Sequence, residues 1–216
     1  MKLVSWNVRG LGGLEKRKDV RKLVGEKKPF ILCLQETKLS VCDLSLCTSL
    51  WGDPDHAFSY RPSVGALGGL LTLWDIKEVE VWSTINQNHM LQIHGRFIRT
   101  NEEFYLLNIY APCEPRAKQE LWVSLSARLQ LLVGKKVYVC GDFNAIRNAD
   151  ERRSYSGSSV SLDFHFFNLF IEDNGLLDLS LCGHRFTWYK GDGTSMSRID
   201  HFLLSEEWCF KRPNCF

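Results

Sequence analysis

The sequence predicts an α/β fold in which two packed β-sheets are flanked by helices, a four-layer α/β/β/α sandwich. Three observations point to it. Strand-like and helix-like apolar periods alternate near both ends of the chain. Between them, residues 57–110 form a run of consecutive strand signals rich in β-branched and aromatic side chains. The 216 residues, 44% hydrophobic and 24% charged, are enough to bury a substantial core without disulfides. No internal repeat or linker divides the chain, so residues 1–216 read as one domain.

The elements follow in order. Leu3 to Trp6 is a short strand, and Gly10-Leu11-Gly12-Gly13 a turn. Residues 14–28 read as a helix with Val20, Leu23 and Val24 facing inward, and Phe30 to Leu34 as a buried strand. After a variable stretch, strands are expected around 57–61, 69–74, 79–84, 90–98 and 103–110. A helix over 115–133 aligns Leu121, Leu125, Leu129 and Leu132, with Gly134 as its stop. Lys136 to Cys140 is another buried strand. Polar, Ser-rich residues 151–160 read as a surface loop, and Ser161 as the cap of a helix that carries Asp163 in its first turn and runs to Asn174. Gly175 ends it. Strands at 176–180, 186–189 and 197–204 close the chain, the last two joined by a Gly191-Asp192-Gly193 hairpin.

Composition excludes several classes. No apolar run reaches the ~18 residues needed to cross a bilayer, and the N-terminus has no signal-peptide core. An intracellular protein, in nucleus or cytoplasm and with no membrane partner, is expected. The eight cysteines include no C-x-x-C pair and no zinc-ligand spacing, so they read as reduced, mostly buried thiols. A net charge of +2 means that a nucleic-acid partner would need a local basic surface. The basic run from Lys16 to Lys28 is interrupted by Asp19 and Glu26 and reads as a solvated helix face.

Several polar residues fall where strands end, the place where α/β sheets commonly bind ligands. Asn7 closes the first strand, Gln35-Glu36-Thr37 the second, and Asn108 and Tyr110 the strand before Ala111-Pro112. Asp142 and Asn144 follow the strand ending at Cys140. Glu36 is a hard oxygen ligand suited to Mg²⁺ or Mn²⁺. In an extended Asp142-Phe143-Asn144 segment the two polar side chains would share a face while Phe143 enters the core. One could then take a proton from water and the other hold a phosphate oxygen. Taken singly, each has a structural reading: a surface carboxylate, a Gly-Asp turn, a core tyrosine with its hydroxyl at the rim. Asp200 lies among Ile199, Phe202, Leu203 and Leu204 and needs a partner, either Arg198 or an imidazole. Together these residues suggest metal-assisted attack of water on a phosphodiester.

Six motifs occur in order: Ser5 to Gly12 (SWNVRGLG), Gln35 to Lys38 (QETK), Asn108 to Pro112 (NIYAP), Gly141 to Asn144 (GDFN), Phe186 to Trp188 (FTW) and Ser197 to Asp200 (SRID). Almost the whole chain resembles the endonuclease/exonuclease/phosphatase superfamily, which includes apurinic-site repair endonucleases, pancreatic deoxyribonuclease and retrotransposon endonucleases. Trp6 to Gly12, Phe186-Thr187-Trp188 and Ser205 to Trp208 most resemble the endonuclease domain of plant LINE-type (non-LTR) retrotransposons.

The resemblance implies a Mg²⁺-dependent DNA endonuclease, with Mn²⁺ as an alternative metal. Glu36 would be the metal ligand and Asn7 its polar neighbour. Tyr110 would contact phosphate, Asp142 activate or orient the water, and Asn144 bind phosphate beside it. Thr187 would lie near bound DNA, and Asp200 would orient a catalytic histidine. Arg9 stands where the repair enzymes carry an aspartate close to the metal, and joins the substrate-binding residues. The family's closing Ser-Asp-His motif is not found in this sequence. The expectation is therefore a domain incomplete at its C-terminus, missing its last strand and the reverse transcriptase that would follow, and a poor nuclease as it stands. His201 does not substitute: if 197–204 is one strand, it points away from the side that Asp200 serves. A phosphoinositide-type phosphatase and a decayed, inactive domain are the competing readings.

Overall fold

A computed structural model describes residues 2–65, 67–154 and 163–209. Their backbone contacts separate two compact units, Met1–Tyr110 and Ala111–Phe216.

The first unit runs β1 (Leu3–Asn7), α1 (Leu14–Lys27), β2 (Ile31–Gln35), α2 (Leu44–Trp51), β3 (His56–Arg61), β4 (Leu70–Asp75), β5 (Val79–Gln87), β6 (Met90–Phe97) and β7 (Glu102–Tyr110). One sheet has the order β1-β2-β4-β3. Its β1–β2 pair is parallel, as the α1 crossover requires. Strands β5, β6 and β7 form an antiparallel meander, and β7 lies against β2 and β4. This unit is thus already a two-sheet sandwich.

Every residue of β2 is buried, the pattern of a strand covered on both faces. Leu32, Leu34, Leu71 and Leu73 pack with Val20 and Val24 of α1 and with Leu50 and Trp51 of α2. Sequence periodicity left α2 unassigned, because eight residues rich in Ser, Thr and Cys carry little helical signal. Its caps are the readable part: the Asp43 carboxylate accepts from Leu46 N–H, and Gly52 ends the helix at φ 94°.

The second unit runs α3 (Pro115–Gln130), β8 (Val137–Asp142), β9 (Arg152–Ser154), α4 (Asp163–Asp173), β10 (Leu176–Asp178), β11 (Trp188–Tyr189), β12 (Ser195–Ser197), β13 (Asp200–Ser205) and α5 (Glu206–Cys209). Strand β13 pairs antiparallel with both β8 and β10. Strands β11, β12 and β9 make a separate small sheet. The Glu114 carboxylate caps α3 through Arg116 and Ala117 N–H, with Pro115 at the first helical position. Trp122 on α3 stacks with Phe143 and Phe170 and meets Phe167 at a tilt, joining α3, α4 and the end of β8 in one aromatic core.

Two expectations are corrected here. Helix α3 ends at Gln130, and Gly134 (φ 75°) belongs to the turn after it. The single strand expected over 197–204 is two strands in different sheets, broken at Arg198 and Ile199. The break follows from Arg198, whose guanidinium turns to Glu151 (2.7 Å) and Asp178 (2.8 Å) and pulls the backbone out of register. The Ser161 cap and most of the 151–160 loop lie outside the described residues.

Cys33, Cys42, Cys47 and Cys140 are buried thiols. Burial pushes the Cys47 thiol up to about 12 and that of Cys42 to about 11, so neither is a nucleophile at neutral pH. Among the described residues no helix is long and apolar enough to cross a membrane.

Gly95 of β6 faces the bulge between Val81 and Ser83 in β5, and a Cβ there would collide with the carbonyl oxygen of Glu80. Gly95→Ala should lower stability by about 1–3 kcal/mol through overpacking. A urea unfolding midpoint unchanged from wild type would show that β5 yields at the bulge.

Candidate active site

In the first unit, strands β1 and β2 end level, with Asn7 beside Gln35. Beyond them the backbone turns left-handed at Arg9 (φ 53°), Gly10 (113°), Glu36 (54°) and Lys38 (57°). Residues other than glycine rarely adopt this conformation, and it persists only where the surroundings over-determine it. Here backbone hydrogen bonds do so. Val8 N–H donates to Gln35 O (3.1 Å), Leu11 N–H to Thr37 O (2.9 Å), Thr37 N–H to Gly69 O (3.1 Å) and Lys38 N–H to Gly68 O (2.9 Å). Glu36 is therefore carried immediately before two residues, Thr37 and Lys38, that are pinned to the Gly68-Gly69 turn. Tyr110 belongs to the same end of this unit, its ring 3.9 Å from where a Cβ on Gly68 would stand. The structure thus brings Asn7, Arg9, Glu36 and Tyr110 to one end of the first sandwich.

The Glu36 carboxylate is half-buried and lies 3.0 Å from the Lys38 ammonium. Asn7 Oδ1 accepts from Arg9 N–H at 3.0 Å, which fixes the turn after β1. Asn108, read from the sequence as one of the polar strand ends, is instead fully buried between the sheets. Its Oδ1 accepts from Gln35 Nε2 (2.7 Å), and its amide donates to Leu34 O, Leu71 O and the Thr72 hydroxyl.

In the second unit, Asp142 ends β8 with 4% of its surface exposed and stands directly across from Asp200 in β13. Asp142-Phe143-Asn144 is not the extended triplet the sequence suggested. Asn144 is left-handed (φ 46°), and Asp142 Oδ1 accepts its N–H at 2.8 Å, closing an Asx turn. The turn wins because its carbonyls and amides have fixed partners: Asn144 Nδ2 donates to Ala111 O (2.8 Å), and Phe143 N–H donates to Ile199 O (2.8 Å). Phe143 is fully buried, as expected.

The Thr187 hydroxyl oxygen accepts from the N–H groups of Ile199 and Asp200, both at 3.1 Å. It thereby fixes where β13 begins and holds Asp200 in register with Asp142. His201 turns to the opposite face, as alternation requires. Its ring is buried against Phe143 and Phe167 and meets Asp178 Oδ2 (3.1 Å) and Ala145 O (3.0 Å). Asp178 is the centre of an ionic cluster that sequence reasoning missed, with Arg198 at 2.8 Å and Arg147 at 3.7 Å. Lys118 was missed too. It is buried on α3 and donates from Nζ to Asn144 O at 2.9 Å. Its signal was present, since 118 lies on the stripe of Leu121, Trp122, Leu125 and Leu129.

Among the described residues, no three His, Cys, Asp or Glu side chains form a group that could hold a metal ion. A Mg²⁺ ion that keeps several of its waters needs only one or two protein carboxylates. Glu36 with the Asn7 amide oxygen is a donor set of that hard-oxygen kind, and the carboxylate already attracts a cation in the form of Lys38.

Known proteins resemble this chain over most of its length. The model of the Endonuclease/Exonuclease/phosphatase family matches residues 4–215. Recombination repair protein 1 of Drosophila melanogaster is 32% identical over 154 residues, which are 67% of this chain but only 22% of that protein. An exodeoxyribonuclease of Bacillus subtilis is 26% identical over 95% of this chain and 88% of its own length. The crystal structure of the AP endonuclease of Leishmania major superposes with a TM-score of 0.78 at 19% identity, covering 95% of this chain and 79% of that one. That likeness shows the fold, two β-sheets flanked by helices, as the sequence predicted.

Gly69 (φ 88°) leaves no room for a Cβ, which would strike the Thr37 hydroxyl, whereas Gly134 (φ 75°) faces open space. Gly134→Ala should lose about 1–2 kcal/mol for the left-handed backbone. Gly69→Ala should lose a further 1–3 kcal/mol for the collision. Equal losses in urea unfolding would mean that Thr37 moves aside and that Glu36 is not tightly clamped.

Proposed function

This chain belongs to the endonuclease/exonuclease/phosphatase family, and from that premise we propose that it is a metal-dependent DNA endonuclease of the LINE-type retrotransposon kind. It would nick duplex DNA and leave a 3′-hydroxyl able to prime reverse transcription. The observation that carries a phosphodiester-cleaving role is Asp142. It is a buried carboxylate at a strand end, set across from Asp200 and fixed by an Asx turn. Two carboxylates opposite one another repel, so such a pair is best explained by chemistry that needs both.

In this reading Asp142 takes the proton of the attacking water as the P–O3′ bond breaks. Asn144 offers an amide N–H, and Tyr110 a phenol, to phosphate oxygens. Asp200 is the carboxylate that would orient a catalytic imidazole, and no Ser-Asp-His motif in these 216 residues supplies one. Glu36 with Asn7 would hold a Mg²⁺ or Mn²⁺ ion, and that ion would supply positive charge against the charge developing on the phosphate. DNA is favoured over an inositol phosphate by the β11–β12 hairpin and its surroundings. Arg152, Arg153, Arg185 and Lys190 are exposed there beside Phe186 and Tyr189, and the Arg185 guanidinium stacks 5.7 Å from the Phe186 ring. Cations interleaved with aromatic rings suit a phosphate backbone and its bases. Thr187 lies in this hairpin and would sit near the bound strand while its oxygen anchors β13. Arg9, exposed at the other cluster, would meet substrate phosphate.

His201 is committed to Asp178 and Ala145, so it does not serve Asp200, and turnover by this chain should be slow. The test is nicking of supercoiled plasmid at enzyme excess, alongside phosphate release from an inositol polyphosphate. Slow nicking that needs Mg²⁺ or Mn²⁺ and stops on chelation is expected. Glu36→Ala should weaken Mn²⁺ binding in a direct titration. Asp142→Asn should cut the rate by about 10²–10⁴ with little change in DNA affinity. Phosphate release without nicking would assign the chain to a phosphatase instead. DNA binding with no metal-dependent turnover would leave a binding domain that has lost its chemistry.

A further inference from the structure

We infer that Lys118 is a positioning residue for the proposed reaction: from within α3 its ammonium fixes the Asn144 turn, and through it the carboxylate of Asp142. The inference rests on the reading of Asp142 and Asn144 as reacting groups. Its physical basis is independent of that reading.

Lysine is almost never fully buried unless it is paired, yet Lys118 has only 3% of its surface exposed. It occupies a stripe otherwise made of Leu121, Trp122, Leu125 and Leu129, where a leucine would pack at no electrostatic cost. Burying an ammonium is expensive unless its donors are satisfied. One of its donors goes to the carbonyl of Asn144 at 2.9 Å. That carbonyl belongs to the left-handed residue of the turn, whose N–H in turn donates to Asp142 Oδ1 at 2.8 Å. A left-handed asparagine can relax toward the extended form, and a charge-assisted bond to its carbonyl opposes that relaxation. Relaxation would remove the Asn144 N–H from Asp142 and turn the Asn144 amide away from Ala111 O. The chain of contacts runs from Lys118 to Asn144 to Asp142. Lys118 therefore has no need to touch substrate.

The test compares wild type with Lys118→Met, Lys118→Arg and the packing control Leu125→Ala, two turns further along the same stripe. Two quantities are read: kcat and KM for plasmid nicking, and amide hydrogen exchange at Asn144 and Ala145 against the β8 amides of Val137 to Cys140. Lys118→Met should lower kcat about tenfold or more with KM nearly unchanged, the pattern of a lost transition-state contribution. It should also speed exchange at Asn144 by a similar factor while β8 stays protected. Lys118→Arg should recover most of both. Leu125→Ala should lose comparable or greater stability with Asn144 exchange and kcat close to wild type. Wild-type exchange at Asn144 in Lys118→Met, or equal effects from Leu125→Ala, would overturn the inference and leave Lys118 a packing residue. If wild type shows no metal-dependent nicking, the functional reading fails and exchange alone decides on Lys118. If Lys118→Met does not fold, Lys118→Gln, which keeps a donor without the charge, is judged by the same criteria.

Discussion

The first sandwich depends on one buried carboxamide. Asn108 sits between two sheets with no access to water, and an amide there is tolerable only if its donors and acceptor are met. They are met by Gln35 Nε2, by the carbonyls of Leu34 and Leu71, and by the Thr72 hydroxyl. Apolar layers can slide over one another at small cost, whereas a directional network has one alignment. Because Gln35 is the residue before Glu36 and Asn108 lies two before Tyr110, the same network sets where both strand ends emerge. The register of the sheets and the placement of two candidate site residues are thus consequences of a single set of hydrogen bonds.

In the second unit the corresponding constraint is ionic. Asp178 is buried with Arg198, Arg147 and His201 around it. A carboxylate at that depth is stable only while compensated, and removal of one partner from such a cluster is far more costly than its net stabilisation suggests. Arg198 is shared between this cluster and Glu151, and its own N–H donates to Glu151 O at 2.8 Å. These bonds hold the chain at the point where it leaves one sheet for another. The first residue beyond the break is the one hydrogen-bonded to Thr187 and register-paired to Asp142, so the position of Asp200 derives from Arg198 as much as from its own strand.

The elements with strong periodicity were legible from the sequence. Both long helices and nearly every strand of the first unit fall within a few residues of their expected places, because apolar alternation reports directly which face is buried. The turn of His201 away from the side of Asp200 followed from the same alternation, whereas Phe143 is buried as expected but beside an Asx turn instead of in an extended triplet. What escaped was whatever depends on partners distant in sequence. Helix α2 is too short for periodicity to speak, and its caps are single residues. The break at Arg198 depends on Asp178 and Glu151, which the strand pattern of 197–204 does not announce. The left-handed Asn144 replaces an extended conformation that local propensity favours equally well, and it is decided by Ala111, Ile199 and Lys118. Asn108 looked like a strand-end polar residue because its sequence position says nothing about which layer its side chain enters.

Both candidate clusters are built on one plan, and the plan explains why their supporting residues are hard to recognise. A strand ends, the next residues turn left-handed, and a carboxylate is held where the chain reverses: Glu36 after β2, Asp142 at the end of β8. In each case the strained backbone is fixed by a neighbour that has no reactive group of its own in play. At Glu36 it is the Gly68-Gly69 turn, where a side chain on Gly69 would displace Thr37. At Asp142 it is a lysine reaching out of a helix core. A carboxylate fixed in this way does not have to reorganise when charge develops nearby, which is the condition under which electrostatic stabilisation is largest. The cost is carried by backbone strain and by a buried ammonium, both of which lower stability in exchange for fixed geometry. Residues of this supporting kind are selected for shape and charge at a distance, so composition and motif spacing point to the carboxylates and pass over the groups that aim them.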